Sequence, residues 1–153
     1  MTTSGPHAFF IDTNILIYAY DAADVEKRAR AIDVLSRLAL ADSGVLSVQI
    51  LGEFYNTITR KPTVPLTPAE AEAAVWRYLS SWPVLGISSA IVREAVRLAR
   101  ERQTSYWDGL ILATAKLNSV PNLLTEDLQD GQFIEGVRII NPLKLAFDLA
   151  TLA

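Results

Sequence analysis

With 153 residues and no cysteine, the chain excludes disulfides, thiolate zinc sites and a cysteine nucleophile, and its length suits one domain with a sizeable core. Half of its residues are hydrophobic and 20% are charged, the balance of a compact domain rather than a disordered chain. The formal net charge of −3, from 17 acidic and 14 basic residues, gives no global basic footprint. It does not exclude a nucleic-acid substrate either, because local charge and any bound metal set the field at a site.

Residues 1–7 are polar and lack the charged stretch leading into an apolar run that marks a secretory signal, so they read as a mobile tail on a single domain spanning 1–153. Residues 8–11 read as a buried strand ended by Asp12, and 14–20 as a short helix. Asp24 can cap a longer helix to about Leu40, with Ile32, Leu35 and Leu38 on its apolar face, ended at Ser43-Gly44. A second strand is expected at 45–48, followed by a helix over 49–59. The three prolines between Lys61 and Pro68 demand a loop, after which Thr67, Pro68 and Glu70 open a helix with a capping box and proline in its first turn.

That helix should run to about Ser80, and its Trp76, Tyr78, Leu79 and Trp82 are expected in core packing, with a partner interface as the alternative. A third strand is expected at 84–87, then a helix over 90–102 capped by Ser88 and another over 106–118 opened by Ser105. Strands at 122–125 and 137–140 and a terminal helix over 142–152 complete the chain. Strands separated by helices indicate a mostly parallel sheet with covered faces, in which ligands sit beyond the carboxyl ends of the strands. No run approaches the ~20 apolar residues that cross a bilayer, so no membrane association is expected and the cytoplasm is the expected compartment.

Four acids fall where such a fold could gather them: Asp12, Glu53, Asp108 and Asp127. Each also has a structural reading. Asp12 leaves a strand and faces a helix start, where Asp is a favoured cap, with Thr13 and Asn14 beside it as hydrogen-bonding support. Glu53 could be a solvated helix residue. Asp108 completes Ser105-Tyr106-Trp107-Asp108, close to a capping box, yet precedes the apolar run Leu110-Ile111-Leu112-Ala113. A carboxylate at the start of a buried helix is costly unless ligated or hydrogen-bonded. Asp127 follows Thr125 and Glu126 near the turn Asp130-Gly131; Thr125 is counted with the supporting residues, and Glu126 and Asp130 as extra acids. Like charges within ~4–6 Å disfavour joint ionisation, and hard divalent cations such as Mg²⁺ or Mn²⁺ relieve that repulsion through oxygen coordination. The chemistry indicated is metal-dependent phosphodiester hydrolysis.

The stretches Phe10-Ile-Asp-Thr-Asn-Ile-Leu-Ile17, Glu53 in its helix, Ser105-Tyr-Trp-Asp-Gly-Leu-Ile-Leu-Ala-Thr-Ala115 and Leu124-Thr-Glu-Asp-Leu128 resemble the PIN-domain family, and within it the VapC-type ribonuclease toxins of bacterial toxin–antitoxin pairs. The resemblance extends over about residues 8–143. It implies a three-layer α/β sandwich, a central mostly parallel sheet flanked by helices, with the four acids in one pocket around Mg²⁺ or Mn²⁺. By motif, Asp12 and Asp108 are the implied principal metal ligands, and Glu53 and Asp127 complete the pocket directly or through water. The implied substrate is RNA, and the implied partners are a small cognate antitoxin and a second copy of the chain in a homodimer.

The implied reaction is in-line attack of water on an RNA phosphodiester, with metal activation of the water and of the departing oxygen. The only histidine, His7, lies in the tail and reads as an exposed spectator. Arg60 and Lys61, with Lys116 next, are the local positives offered for RNA, with a solvated basic surface as the alternative. Two other classes stay open on the residues: a binding module that grips RNA or an antitoxin without turnover, and a metal-dependent DNA nuclease or phosphohydrolase. A receiver-type switch also gathers acids at strand ends, but its matched lysine is not evident.

Overall fold

The sheet is built outward from its most apolar strand. In the computed structural model, which describes residues 7–61, 63, 64 and 66–152, β1 (Phe9–Ile11) is buried along its whole length. Residues 1–6, assigned above to a tail, lie outside the described residues. The chain continues through α1 (Thr13–Tyr18), α2 (Val25–Ala41), β2 (Gly44–Ser47), α3 (Val48–Ile58), α4 (Pro68–Ser81), β3 (Val84–Leu85), α5 (Ser89–Arg102), α6 (Tyr106–Leu117), β4 (Asn122–Leu124), β5 (Phe133–Ile134) and β6 (Val137–Ile140). These strands form one six-stranded sheet in the order β3-β2-β1-β4-β6-β5. All its pairings are parallel except β5 with β6. The expected α/β architecture, a mostly parallel sheet flanked by helices, is the one observed.

Parallel strands need long crossovers, and the helices supply them. After β1 the chain first fills the sheet on the β2 side and then returns to add β4 on the other, so the strand order switches direction between β1 and β4. Their register sets Phe10 beside Leu123 and Ile11 beside Leu124. The next residue on each strand is therefore Asp12 or Thr125, placed side by side at the carboxyl end of the sheet, where open α/β folds bind their ligands.

Capping chemistry fixes where the helices start. Asp24, Ser47, Thr67, Ser88 and Ser105 each accept the backbone N–H of the third residue of the following helix, and Thr67 and Glu70 form the full reciprocal capping box. Ser105 forms only half of one: Asp108 donates its amide to the Ser105 hydroxyl at 3.1 Å, and its carboxylate does not return to the Ser105 amide. Every residue from Gly109 to Ala115 on α6 is buried, confirming a helix enclosed by its neighbours. It lies close to α5: a Cβ on Gly109 would stand 2.7 Å from the Ala95 carbonyl oxygen.

Four details differ from the sequence expectation. The apolar face of α2 is Ala31, Val34 and Leu38, while Ile32 turns outward at 45% exposure, one position off the expected stripe. The strand expected at 84–87 stops at Leu85. A short strand, β5, was not foreseen: it pairs through a two-residue turn in which Glu135 and Gly136 take φ values of 45° and 94°, the geometry of a type I′ hairpin but without its usual Asn-Gly signature.

The terminal helix over 142–152 does not form; only a 3-10 turn at Leu149–Leu152 is present. Arg30 explains this, because its guanidinium takes the carbonyls of Pro142, Lys144 and Phe147 at 2.9, 2.9 and 2.5 Å. Asn141 and Asp148 side chains accept the amides of Leu143 and Ala150, offering the backbone local alternatives to a helix.

Candidate active site

Asp12 is the centre of the site because three elements converge on it. Leaving β1, it caps α1, with Oδ1 accepting the Thr13 amide at 2.7 Å. From β4, the Thr125 hydroxyl donates to Oδ2 at 2.7 Å, and Asn14 Nδ2 adds a longer contact at 3.4 Å. Asn14 also donates to Thr125 Oγ1 at 3.3 Å, closing a ring of polar groups across the two strand ends. The carboxylate is only 6% exposed. Burial pushes its pKa up from 3.8 to about 6; the hydrogen bonds from Thr125 and Thr13 oppose this, and the charges of Asp127 and Glu53 add to it.

Glu53 reaches the site from α3 and is not the free surface residue of its simpler reading. Its Oε2 accepts the Thr13 hydroxyl at 2.8 Å and its Oε1 accepts Gln49 Nε2 at 2.8 Å. Asp127 sits beyond β4, with its amide bonded to Thr125 Oγ1 at 3.1 Å and its side chain exposed. Asp108 is half-buried in the first turn of α6. The helix start beside it is tied to α3: the Trp107 carbonyl accepts Gln49 Nε2 at 3.2 Å. Asp12, Glu53 and Asp127 thus share one electrostatic neighbourhood, while for Asp108 the tie seen is that of its helix start, through Gln49 and the Trp107 carbonyl.

Of the extra acids, Glu126 is taken by Lys27 at 2.7 Å and by the Tyr18 hydroxyl at 2.5 Å. Asp130 holds the Asn141 amide at 2.8 Å and Lys144 at 3.3 Å, in the turn expected there. Lys61 pairs with Asp21 at 3.3 Å, and Lys116 with Glu94 and Glu135 at 2.7 and 3.0 Å. Arg60 is exposed. His7 is exposed as expected. The large apolar side chains of α4 and its C-cap divide: Tyr78 and Trp82 pack on the core, whereas Trp76 and Leu79 are 58% and 48% exposed. The sequence reading missed Gln49, Lys27 and Tyr18. Only Gln49 had a usable signal, its position one turn before Glu53 on the same helix face.

Among the described residues no group of three or more Asp, Glu, His or Cys side chains is arranged to hold a metal ion as it stands. The donor set nevertheless fits a hard divalent cation. It is all oxygen, it includes a carboxylate whose charge is disfavoured by burial and by two acidic neighbours, and the hydrogen bonds around Asp12 and Glu53 orient both. No helix is long and apolar enough to cross a membrane among the described residues.

A PIN-domain family model matches residues 9–130, and the chain belongs to that family, whose nucleases generally use a divalent metal. No curated protein sequence matches the chain. Among solved structures it is similar to VapC20 from Mycobacterium tuberculosis, described as a Sarcin-Ricin loop cleaving toxin, with 20% identity and a TM-score of 0.62 over 84% of this chain and 98% of that one. It is similar to a chain of a toxin–antitoxin complex from Klebsiella pneumoniae, with 26% identity and a TM-score of 0.60 over 88% and 97%. DNA-bound VapBC from Salmonella typhimurium gives 22% identity and a TM-score of 0.60 over 86% and 96%.

Proposed function

We propose that this protein is an endoribonuclease dependent on Mg²⁺ or Mn²⁺ and the toxin of a type II toxin–antitoxin pair. The observation that carries the reading is Asp12: a nearly enclosed carboxylate at the strand switch point of a PIN fold, facing two further acids. Fixed negative charge of this kind gains most from a cation.

Asp12, Glu53, Asp108 and Asp127 are the residues that would hold the ion. When bound, a divalent cation supplies Lewis-acid chemistry to a phosphodiester. The chain's own part is to orient. Thr13, Asn14 and Thr125 hold Asp12 through hydrogen bonds to both carboxylate oxygens. Thr13 also fixes Glu53, so adjacent residues align two acids from different elements. Asp127, the most exposed of the four, is the acid most open to an incoming phosphate. With His7 exposed at the start of the described residues, proton transfer falls to carboxylates and water rather than to imidazole.

For partner binding, α3 and α4 offer a second surface. Val48, Leu51 and Tyr55 of α3 face Val75, Trp76 and Leu79 of α4 across an apolar groove of about 470 Å³. That groove suits the antitoxin or a second copy of the chain, the partner types expected of a VapC-like toxin.

The test compares cleavage of single-stranded RNA and DNA by the purified protein. Cleavage of RNA is expected with Mg²⁺ or Mn²⁺, with loss in excess EDTA and recovery on re-addition of metal. Chelator-resistant cleavage, or turnover of DNA alone, would overturn the assignment.

A further inference from the structure

Gln49 stands one turn before Glu53 on α3 and is 8% exposed. Its amide nitrogen donates to Glu53 Oε1 at 2.8 Å and to the Trp107 carbonyl at 3.2 Å, using both N–H groups. Its Oε1 is the only buried side-chain polar atom without a hydrogen-bond partner among the described residues. Exchanging the amide oxygen and nitrogen offers no relief, because it would set the carbonyl oxygen against two acceptors and lose both bonds. The orientation is therefore dictated by the partners, and the orphaned oxygen is a cost that an apolar side chain would avoid.

The return for that cost is geometric. Glu53 is gripped at both oxygens: by Thr13, the residue after Asp12, and by Gln49. The Thr13 bond ties Glu53 to the end of β1. The Gln49 bond ties it to the start of α6, where the Trp107 carbonyl immediately precedes Asp108. A carboxylate with one donor on each oxygen is fixed in orientation yet keeps acceptor capacity for another ligand.

We infer that Gln49 is a positioning residue of the acid site, orienting the Glu53 carboxylate and linking it to the helix that carries Asp108, so that acids on separate elements meet a divalent cation in one register. This rests on the metal-dependent reading above. Groups that orient metal-binding carboxylates affect metal affinity directly, by about 10- to 100-fold when removed.

The test is Mn²⁺ binding to the metal-free full-length protein, followed by electron paramagnetic resonance, for wild type, Gln49→Leu, Gln49→Met and Glu53→Gln. Both Gln49 variants keep the side-chain volume and remove the orphaned oxygen, and Met adapts where Leu packs poorly. Mn²⁺ affinity is expected to fall about 10- to 100-fold in the Gln49 variants, while the melting temperature of the metal-free protein stays level or rises. At saturating metal, kcat should fall with KM for an RNA oligonucleotide unchanged.

Wild-type affinity in both Gln49 variants, with Glu53→Gln impaired, would overturn the positioning role and leave the metal reading intact. A loss of affinity only in proportion to a lowered melting temperature would also overturn it, assigning Gln49 to the fold. No Mn²⁺ binding by wild type would overturn the metal reading itself, and the inference with it.

Discussion

Asp12 is pulled in two directions. As a helix cap and hydrogen-bond acceptor it belongs in the fold; as a buried charge facing Glu53 and Asp127 it is disfavoured. Because its folded pKa lies above the unfolded value, its contribution to stability is fully present below pH 3.8 and is lost as pH rises through about 6. A rise of this size corresponds to about 3 kcal/mol of penalty for keeping the ionised form folded. The metal-free Asp12→Asn variant should therefore be more stable than wild type at pH 7.5, by up to about 3 kcal/mol. That advantage should shrink between pH 6 and pH 4, and urea unfolding of both proteins across this range checks it; a difference independent of pH would mean that the burial of Asp12 is not felt. The same substitution should reduce RNA cleavage to background. Asp12 was legible in the sequence because a carboxylate directly after an apolar strand has few placements. Gln49 was only half legible: its place one turn before Glu53 can be read, but the role of a glutamine inside a helix depends on partners that only the fold supplies.

Between elements, the position of Asp108 depends on how closely α5 and α6 approach. Gly109 permits that approach, since any Cβ there meets the Ala95 carbonyl oxygen at 2.7 Å. In an ordinary helix interior Gly→Ala stabilises by roughly 1 kcal/mol. Gly109→Ala should instead destabilise by about 1–3 kcal/mol through overpacking, and should lower cleavage because the strained backbone at 109 adjoins Asp108. Thermal unfolding decides by sign: a more stable variant would mean that the helices separate freely. A second tie crosses the same pair of helices, where Glu94 holds Arg97 and Lys116 and these two also reach Glu135 in the β5–β6 turn. Hydrogen bonds from Arg97 and Lys116, with their charges adding a smaller part, lower the Glu94 carboxyl to about 2. This network accounts for Lys116, which the sequence offered to RNA and the fold gives to an ion cluster. The helices themselves were legible because their caps are local chemistry, seen at Asp24, Thr67, Ser88 and Ser105. The β5–β6 hairpin and the irregular terminus were not. One depends on left-handed backbone at Glu135, and the other on Arg30, 112 residues away in sequence from the Pro142 carbonyl it binds.

Across the whole molecule, the sheet order brings together what the chain keeps far apart. Thr125 and Asp12 are separated by 113 residues and bonded at 2.7 Å. Alternation of strands and helices made the sheet legible, and the carboxyl-end rule then pointed to Asp12 and Asp127 without any knowledge of side chains. What alternation could not supply was the Gln49 bridge to the start of α6, which runs through the Trp107 carbonyl. The same arrangement leads to a prediction about global stability. If the acids converge on one cation, that ion binds the folded state and has no matching site in the unfolded chain, so mass action stabilises the protein. At a metal concentration of 100 times Kd the gain is about 2.7 kcal/mol. For a domain of this size that corresponds to a rise in melting temperature of roughly 5–11 °C. Differential scanning calorimetry at pH 7.5, with EDTA and then with Mn²⁺, should show that rise in wild type and only a small part of it in Asp12→Asn. The comparison separates the site from general salt effects, which act on both proteins alike. Equal shifts in the two would place the ion elsewhere on the surface and remove Asp12 from its binding.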